Sequence, residues 1–532
     1  MNILSRFSRR TTSQNLPADA RQVVNSAGGY VFEITPRARL RRFLTLGTEG
    51  GTYYVRAEAL TADNADFLLD YAAEHTADLV REIVEISTSG RAPRQNPALF
   101  ALAAAASLGD VDGRRAALAA LPLVARTGTH LFLFAGYAEQ FRGWGRGLRR
   151  AVANWYLDKP VADVAFQAVK YRQREGWSHR DLLRLSHPAA TDDERRRLFD
   201  WICGRPADLD GLALVDGFQR AQSAPVERIP ELVREYRLSW EMLPDAALSA
   251  PPVWEALLDN GIPQTALLRQ LPRLTRLGLL DPLGPRTAAI CAQLTDPQRL
   301  RKARVHPVAV LIALRTYAAG RSARGAGTWT PSAPVVDALD AAFYASFGTI
   351  EPTGLRHLLA LDVSGSMTAP ISGLPLSARE ASAALALVTA RTEPEHRIVG
   401  FTAGRSGARR SDGLSPLSIS PRQRLDDAVR AVSDLPFGGT DCSLPILHAL
   451  DKGIEVDVFS IYTDNETWAG SVHPHQALAR YRREVNPRAK LVVVGMTATK
   501  FSIADPDDAG MLDVAGFDAA VPSLLADFAT AA

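Results

Sequence analysis

Cysteine is scarce in this chain: Cys203, Cys291 and Cys442 are the only three among 532 residues. None falls in C-x-x-C spacing and the count is odd. That argues against a disulfide framework and against a thiolate zinc site, and it fits a reducing compartment, so a cytoplasmic location is expected. Long apolar runs are missing as well. No stretch reaches the roughly 18 apolar residues of a membrane-spanning helix, so no membrane association is expected. The opening, MNILSRFSRRTTSQ, is basic but lacks the apolar centre of a secretion signal, and residues 1–20 read as a flexible basic arm. The usual catalytic signatures are absent: there is no G-x-S-x-G, no H-E-x-x-H and no Walker A pattern.

Strong net charge is missing too, since 61 basic and 58 acidic side chains leave +3. The balance hides an uneven distribution. Residues 355–532 carry 17 basic and 21 acidic groups, so the rest of the chain is net positive. Within 141–184, ten basic side chains face four acidic ones, and that local excess says more than the total. Apolar content of 46% and charged content of 22% fit a globular chain, long enough for two to four domains.

Strand signals are nearly absent from the first 350 residues, apart from GGYVFEIT near residue 30. What is there reads as helix after helix. NADFLLDYAAEHTADLVREIVEIST keeps apolar residues at spacings of three and four. NPALFALAAAASLG offers Asn96 as N-cap, Pro97 in the first turn and a closing glycine. Ser178 with Asp181, and Thr191 with Glu194, have capping-box spacing. Helix pairs over such a length suggest an α-solenoid of HEAT type, irregular because no clean period emerges. Such a scaffold offers a large binding surface.

Beyond residue 355 the pattern changes to alternating strands and helices. Strands are expected at 355–361, 396–404 and 489–498 and in VDVFSIYTD, with helices at 377–391, 443–453 and 474–485. That order predicts a parallel, doubly wound sheet. Its first strand ends in LALDVSGSM. Asp362, Ser364 and Ser366 would lie outside the carboxyl end of a buried strand, where open parallel sheets bind ligands. Carboxylate and hydroxyl oxygens are hard ligands suited to Mg²⁺, Mn²⁺ or Ca²⁺. The pentapeptide alone also fits a strand end turned by Asp and Ser, which is common. Thr440, on a glycine-flanked loop, and Asp464, at a second strand end, add two more oxygen donors.

These five positions resemble the Asp-x-Ser-x-Ser, Thr and Asp pattern of the von Willebrand factor A domain and its metal-ion-dependent adhesion site. Three longer stretches carry a second resemblance: residues 25–54, residues 143–156 followed by 170–188, and residues 302–320 followed by 338–347 are similar to the TROVE module of the Ro ribonucleoprotein family, and the order of parts matches that family. The resemblance implies a TROVE ring of HEAT-like repeats over 21–352, closed by a Rossmann-like A domain over 353–532. It further implies a monomeric, non-enzymatic protein of RNA quality control. Y RNAs would bind outside, single-stranded 3′ ends of misfolded or defective RNAs would enter a central hole, and exoribonucleases would be partners. A divalent ion, Mg²⁺ first and Mn²⁺ or Ca²⁺ after it, would sit on Asp362, Ser364, Ser366, Thr440 and Asp464.

The basic segment has its own reading. Lys170 and Arg174 are four apart, so they are expected to share one helix face. Arg180 starts the next helix and His187 ends it, while Arg146, Arg149 and Arg150 stand upstream among Trp144, Trp155, Tyr171 and Trp177. A solvated basic face over buried tryptophans explains the same residues. The resemblance favours RNA, because Lys170, Arg174 and His187 match positions where the family contacts it. Arg41 and Arg42 are expected to face RNA in the hole. The glycine-rich stretch at 47–52 reads as a structural loop, and His306 before Pro307 as a cap. Two other functions stay open: a metal-dependent adhesion module completed by a partner's acidic residue, and a Mg²⁺-dependent nuclease.

Overall fold

The computed structural model describes residues 11–47, 57–322, 326–348, 350–371, 375–403, 413–417, 419–420, 422–433, 438–518 and 520–531. From Pro36–Leu46 to Ala333–Ala345 the chain is helix packed on helix, apart from one short hairpin. Helix Asn96–Leu108 is enclosed on several sides: Leu99, Ala101, Leu102, Ala103, Ala104 and Ala105 are all buried, because small side chains let neighbours approach closely. Gln95, not Asn96, takes its N-cap position, and Asn96 is the first helical residue. The Ser178–Asp181 capping box forms. Thr191 does not cap; Asp192 does, its carboxylate accepting from the Arg195 amide at 2.7 Å while the Thr191 hydroxyl donates to it. A carboxylate one residue closer to the helix outcompetes the hydroxyl.

The strands in chain order are β1 (Gln22–Val24), β2 (Tyr30–Glu33), β3 (Gln173–Arg174), β4 (Trp177–Ser178), β5 (His357–Asp362), β6 (His396–Phe401), β7 (Leu414–Pro416), β8 (Val458–Thr463), β9 (Lys490–Gly495), β10 (Phe501–Ser502) and β11 (Met511–Ala515). Six form one sheet in the order β11-β9-β8-β5-β6-β7, parallel except for β7 at the edge. β5 and β8 are buried along their whole length, which explains their unbroken apolar runs. Strand order reverses between β5 and β8, so their carboxyl ends flank the crevice where such sheets bind ligands. One face of the sheet carries helix Ala378–Thr392, and its core is continuous with that of the helical array. Helices Leu444–Lys452 and Pro474–Glu484 cover a separate core on the other face.

β1, β2 and β10 make a small antiparallel sheet, which ties the N-terminal segment to the α/β domain. The arm expected over 1–20 is therefore not free where it is described. Gln14 is fully buried, and the Thr12 amide donates to Gln476 at 3.1 Å. Residues 1–10, like the glycine-rich stretch from 48 to 52, lie outside the described residues.

Both ends of the helical array are bonded to the α/β domain. At the first end Arg42 is buried; it pairs with Asp513 at 2.5 Å and donates to the carbonyls of Thr499 and Phe501 at 3.1 and 2.8 Å. Arg42 thus joins two domains and does not face a hole. Arg41 is held by Glu82 and Glu85. At the last end Arg315 pairs with Glu380 at 2.7 Å and Arg424 with Asp337 at 2.6 Å. His306 bridges early and late helices: its Nε2 meets the Arg91 carbonyl at 3.1 Å, and its Nδ1 accepts from the Val308 amide as a cap.

Candidate metal site and basic cleft

Asp362 ends β5 and Asp464 follows β8, and hydrogen-bonded neighbouring strands bring them side by side. Asp362 Oδ1 accepts from the Ser364 amide at 2.9 Å, and Oδ2 from the Thr463 hydroxyl at 2.7 Å. The Ser364 and Ser366 hydroxyls lie 2.9 Å apart, and Asp464 Oδ1 accepts from the Glu466 amide at 3.0 Å. All five predicted donors are buried, none more than 2% exposed. Among the described residues Thr440 Oγ1 and Asp464 Oδ2 are buried without a hydrogen-bond partner.

Burial pushes the Asp362 carboxyl above its ordinary range, and pushes Asp464 well above it, with repulsion from Asp362 and Glu466 adding to the second. Buried carboxylates that repel each other, with oxygens left unpartnered, mark a site short of positive charge. Two carboxylates and three hydroxyls fit a hard divalent cation, since all five predicted donors are oxygens.

Three supporting residues escaped the sequence reading. Arg379, buried on the adjoining helix, donates to the carbonyls of Val363 and Ser364 and so grips the loop after β5. Thr463 orients Asp362. Gln14 donates to Asp441 Oδ1 and to the Val472 carbonyl, both at 2.8 Å, and accepts from the Thr467 hydroxyl at 2.5 Å. It locks the two loops that carry Thr440 and Asp464. A capping-box arginine beside a strand end could have flagged Arg379; no local signal points to Gln14.

The basic segment is arranged differently from the expectation. Helix Val161–Lys170 stops at Lys170, and the chain turns into the β3–β4 hairpin through Glu175 and Gly176, both at positive φ (52° and 77°). Lys170 and Arg174 therefore share no helix face. Lys170 is largely buried and pairs with Glu241 at 3.1 Å. Arg174 is exposed, and its guanidinium donates to the neighbouring Gln173 carbonyl at 2.7 Å. Arg180 and His187 are exposed near the two ends of helix His179–Ser186, His187 at a left-handed φ of 47°. Arg146, Arg149 and Arg150 are exposed on helix Arg146–Leu157. None of these arginines has an acidic partner among the described residues. Trp155 is core: it donates to the Ala125 carbonyl at 2.6 Å. Trp144 and Trp177 pack together at 5.9 Å.

An open cleft of about 1250 Å³ lies between the hairpin and helices Asp193–Ile202 and Ala213–Ser223. It brings Arg174 and Arg180 together with Arg172, Trp201 and Phe218, which the sequence reading had not singled out. Arg146, Arg150, Lys170 and His187 do not line it.

Comparison with known proteins adds the context. Residues 356–529 match the family model described as the Ro60 vWA domain, and residues 23–208 and 234–316 match the TROVE domain. The RNA-binding protein RO60 of Deinococcus radiodurans is 42% identical over 536 residues, covering 99% of each chain. The RNA-binding protein RO60 of Caenorhabditis elegans is 36% identical over 590 residues, covering 96% of this chain and 90% of that one. The crystal structure of the Deinococcus radiodurans RO (RSR) protein superposes with a TM-score of 0.71 at 42% identity, covering 93% of this chain and 99% of that one.

Proposed function

This chain belongs to the Ro60 family, and we propose that it is an RNA-binding scaffold, not an enzyme. The helical array closes on the α/β domain into a ring. Y RNAs sit on its outer surface, and single-stranded 3′ ends of misfolded or defective RNAs enter its hole. The protein works as a cytoplasmic monomer beside exoribonucleases in RNA quality control. Bonds from both ends of the array to one domain support the ring. The observation that carries RNA binding is the meeting of Arg174 and Arg180 at an open cleft that Glu175 also lines, neither arginine having an acidic partner among the described residues. Paired arginines build folds; arginines left over on an exposed surface are available to phosphate.

The test is a salt titration of a structured small RNA with the wild type and with the Arg174→Gln, Arg180→Gln double variant. Two lost phosphate contacts reduce the log–log salt slope by roughly two units. An unchanged slope would remove these residues from the interface.

The five oxygen donors hold a divalent ion, Mg²⁺ foremost, with Mn²⁺ or Ca²⁺ as alternatives. When bound, it supplies the positive charge that the two buried carboxylates lack. The unpartnered Thr440 and Asp464 oxygens also favour a second reading, an adhesion site completed by a partner protein's carboxylate. EDTA separates the readings: it dissolves an adhesion complex and leaves RNA on the helical part.

A further inference from the structure

The cleft beside the hairpin is not lined as a plain phosphate surface would be. Its floor is aromatic: Phe218 is buried, and Trp201 meets it edge-on, with centroids 6.3 Å apart at 85°. The Arg172 guanidinium stands over the Phe218 ring, 5.3 Å from its centroid, and both residues line the cleft. Gln222, which also lines the cleft, is held in place by a 2.9 Å bond from its Nε2 to the Met242 carbonyl. Arg174 and Arg180 line the cleft as well, and both are exposed.

A duplex keeps its bases stacked on one another and offers such a floor nothing. Bases splayed from a loop or bulge can stack on an aromatic ring or on a guanidinium plane. The volume, about 1250 Å³, exceeds the roughly 300–1,000 Å³ of a pocket for one drug-sized ligand. It has room for more than one nucleotide.

We propose that this cleft is a nucleobase pocket. It takes unpaired loop or bulge nucleotides of a structured RNA, their bases against Trp201 and Arg172 and their phosphates on Arg174 and Arg180. The inference rests on the RNA-binding reading and adds base recognition to it.

The experiment compares one RNA hairpin in two forms, with a natural single-stranded loop and with an abasic loop of equal length. The phosphates are the same in both, so a purely electrostatic surface binds them equally. The expected result is binding of the natural loop about tenfold tighter, at the same salt slope, since a stacked base contributes at that scale. Trp201→Leu should bring the natural loop down to the abasic level and leave the abasic hairpin unchanged. Trp201→Phe should restore most of the difference. Arg174→Gln should weaken both hairpins alike. A second measurement needs no variant: 2-aminopurine in the loop should lose fluorescence on binding the wild type as it stacks. Equal affinity for the two hairpins, or unquenched 2-aminopurine in bound RNA, overturns the pocket and leaves the RNA-binding reading standing. If neither hairpin binds, the RNA-binding reading itself falls.

Discussion

The two sites of this molecule are opposites. The one on the α/β domain is buried, has too much negative charge for its surroundings, and is built at the ends of neighbouring parallel strands. The one on the helical part is open to solvent, has positive charge left over, and is built where a helix has just ended. A strand end in a parallel sheet is fixed by the strands on either side, so its residues land where their spacing says. A helix end depends on a turn of one or two residues, and a shift there redirects every side chain beyond it. Lys170 and Arg174 show the consequence: four apart in sequence, one is locked to Glu241 and the other lies on a hairpin.

The joint between the two regions gives the largest expected effect. Arg42 is buried and ion-paired across it. Arg42→Met leaves two carbonyls without this donor and Asp513 without its cation, though still bonded to the Ser502 hydroxyl, at a cost of about 3–5 kcal/mol. Calorimetry should show a lower and less cooperative transition. An unchanged melting profile would mean that the helical part and the α/β domain hold together without this residue.

Next comes the metal. An ion that binds only the folded state at a hundred times its Kd contributes about 3 kcal/mol. Mg²⁺ should therefore raise the Tm of the wild type and leave Asp362→Ala unaffected, while both bind RNA with similar affinity. A variant that still responds to Mg²⁺ would move the ion elsewhere. One that loses RNA would end the separation of the two sites.

Acid should act on the helical part in a predictable window. Burial depresses His179 and His130 to about 4, with Arg126 adding to the second. His179 is enclosed by Phe132 and Trp155 and bonded to the Tyr156 hydroxyl at 2.7 Å. A depressed histidine is neutral in the fold and charges first in the unfolded chain. Its stabilising share is complete above the unfolded value near 6.5 and is lost as pH falls from there through about 4. The Tm should drop between pH 7 and 5, and His179→Gln should flatten that drop. Equal pH dependence in the two proteins would sink the assignment.

Much of the α/β domain was legible. The expected strands at 355–361, 396–404 and 489–498 and the one before Asp464 appear as β5, β6, β9 and β8, because buried parallel strands are apolar runs bounded by turns. β1, β10 and β11 were not read, being two to five residues long and weakly patterned. Gln14 was hidden for another reason. Its partner Asp441 is 427 residues away, and no local pattern encodes such a contact. In the basic segment residue types were read correctly but partners were not, since a glutamate at 241 decides whether Lys170 is free.

That last point sets the smallest and sharpest test. Lys170 and Arg174 look alike in sequence and differ in the fold, so each single variant should fail in its own way. Lys170→Met strips Glu241 of its cation at a site where neither side chain is more than 18% exposed. It should lose about 1 kcal/mol in urea unfolding, and keep the RNA salt slope. Arg174→Gln removes an exposed guanidinium whose bond among the described residues is to the neighbouring backbone. Stability should stay within about 0.5 kcal/mol, and the salt slope should fall by roughly one unit. If instead Lys170→Met lowers the slope and keeps stability, the Glu241 pair opens when RNA arrives. The original pairing of Lys170 with Arg174 as phosphate contacts would then hold despite the helix ending between them.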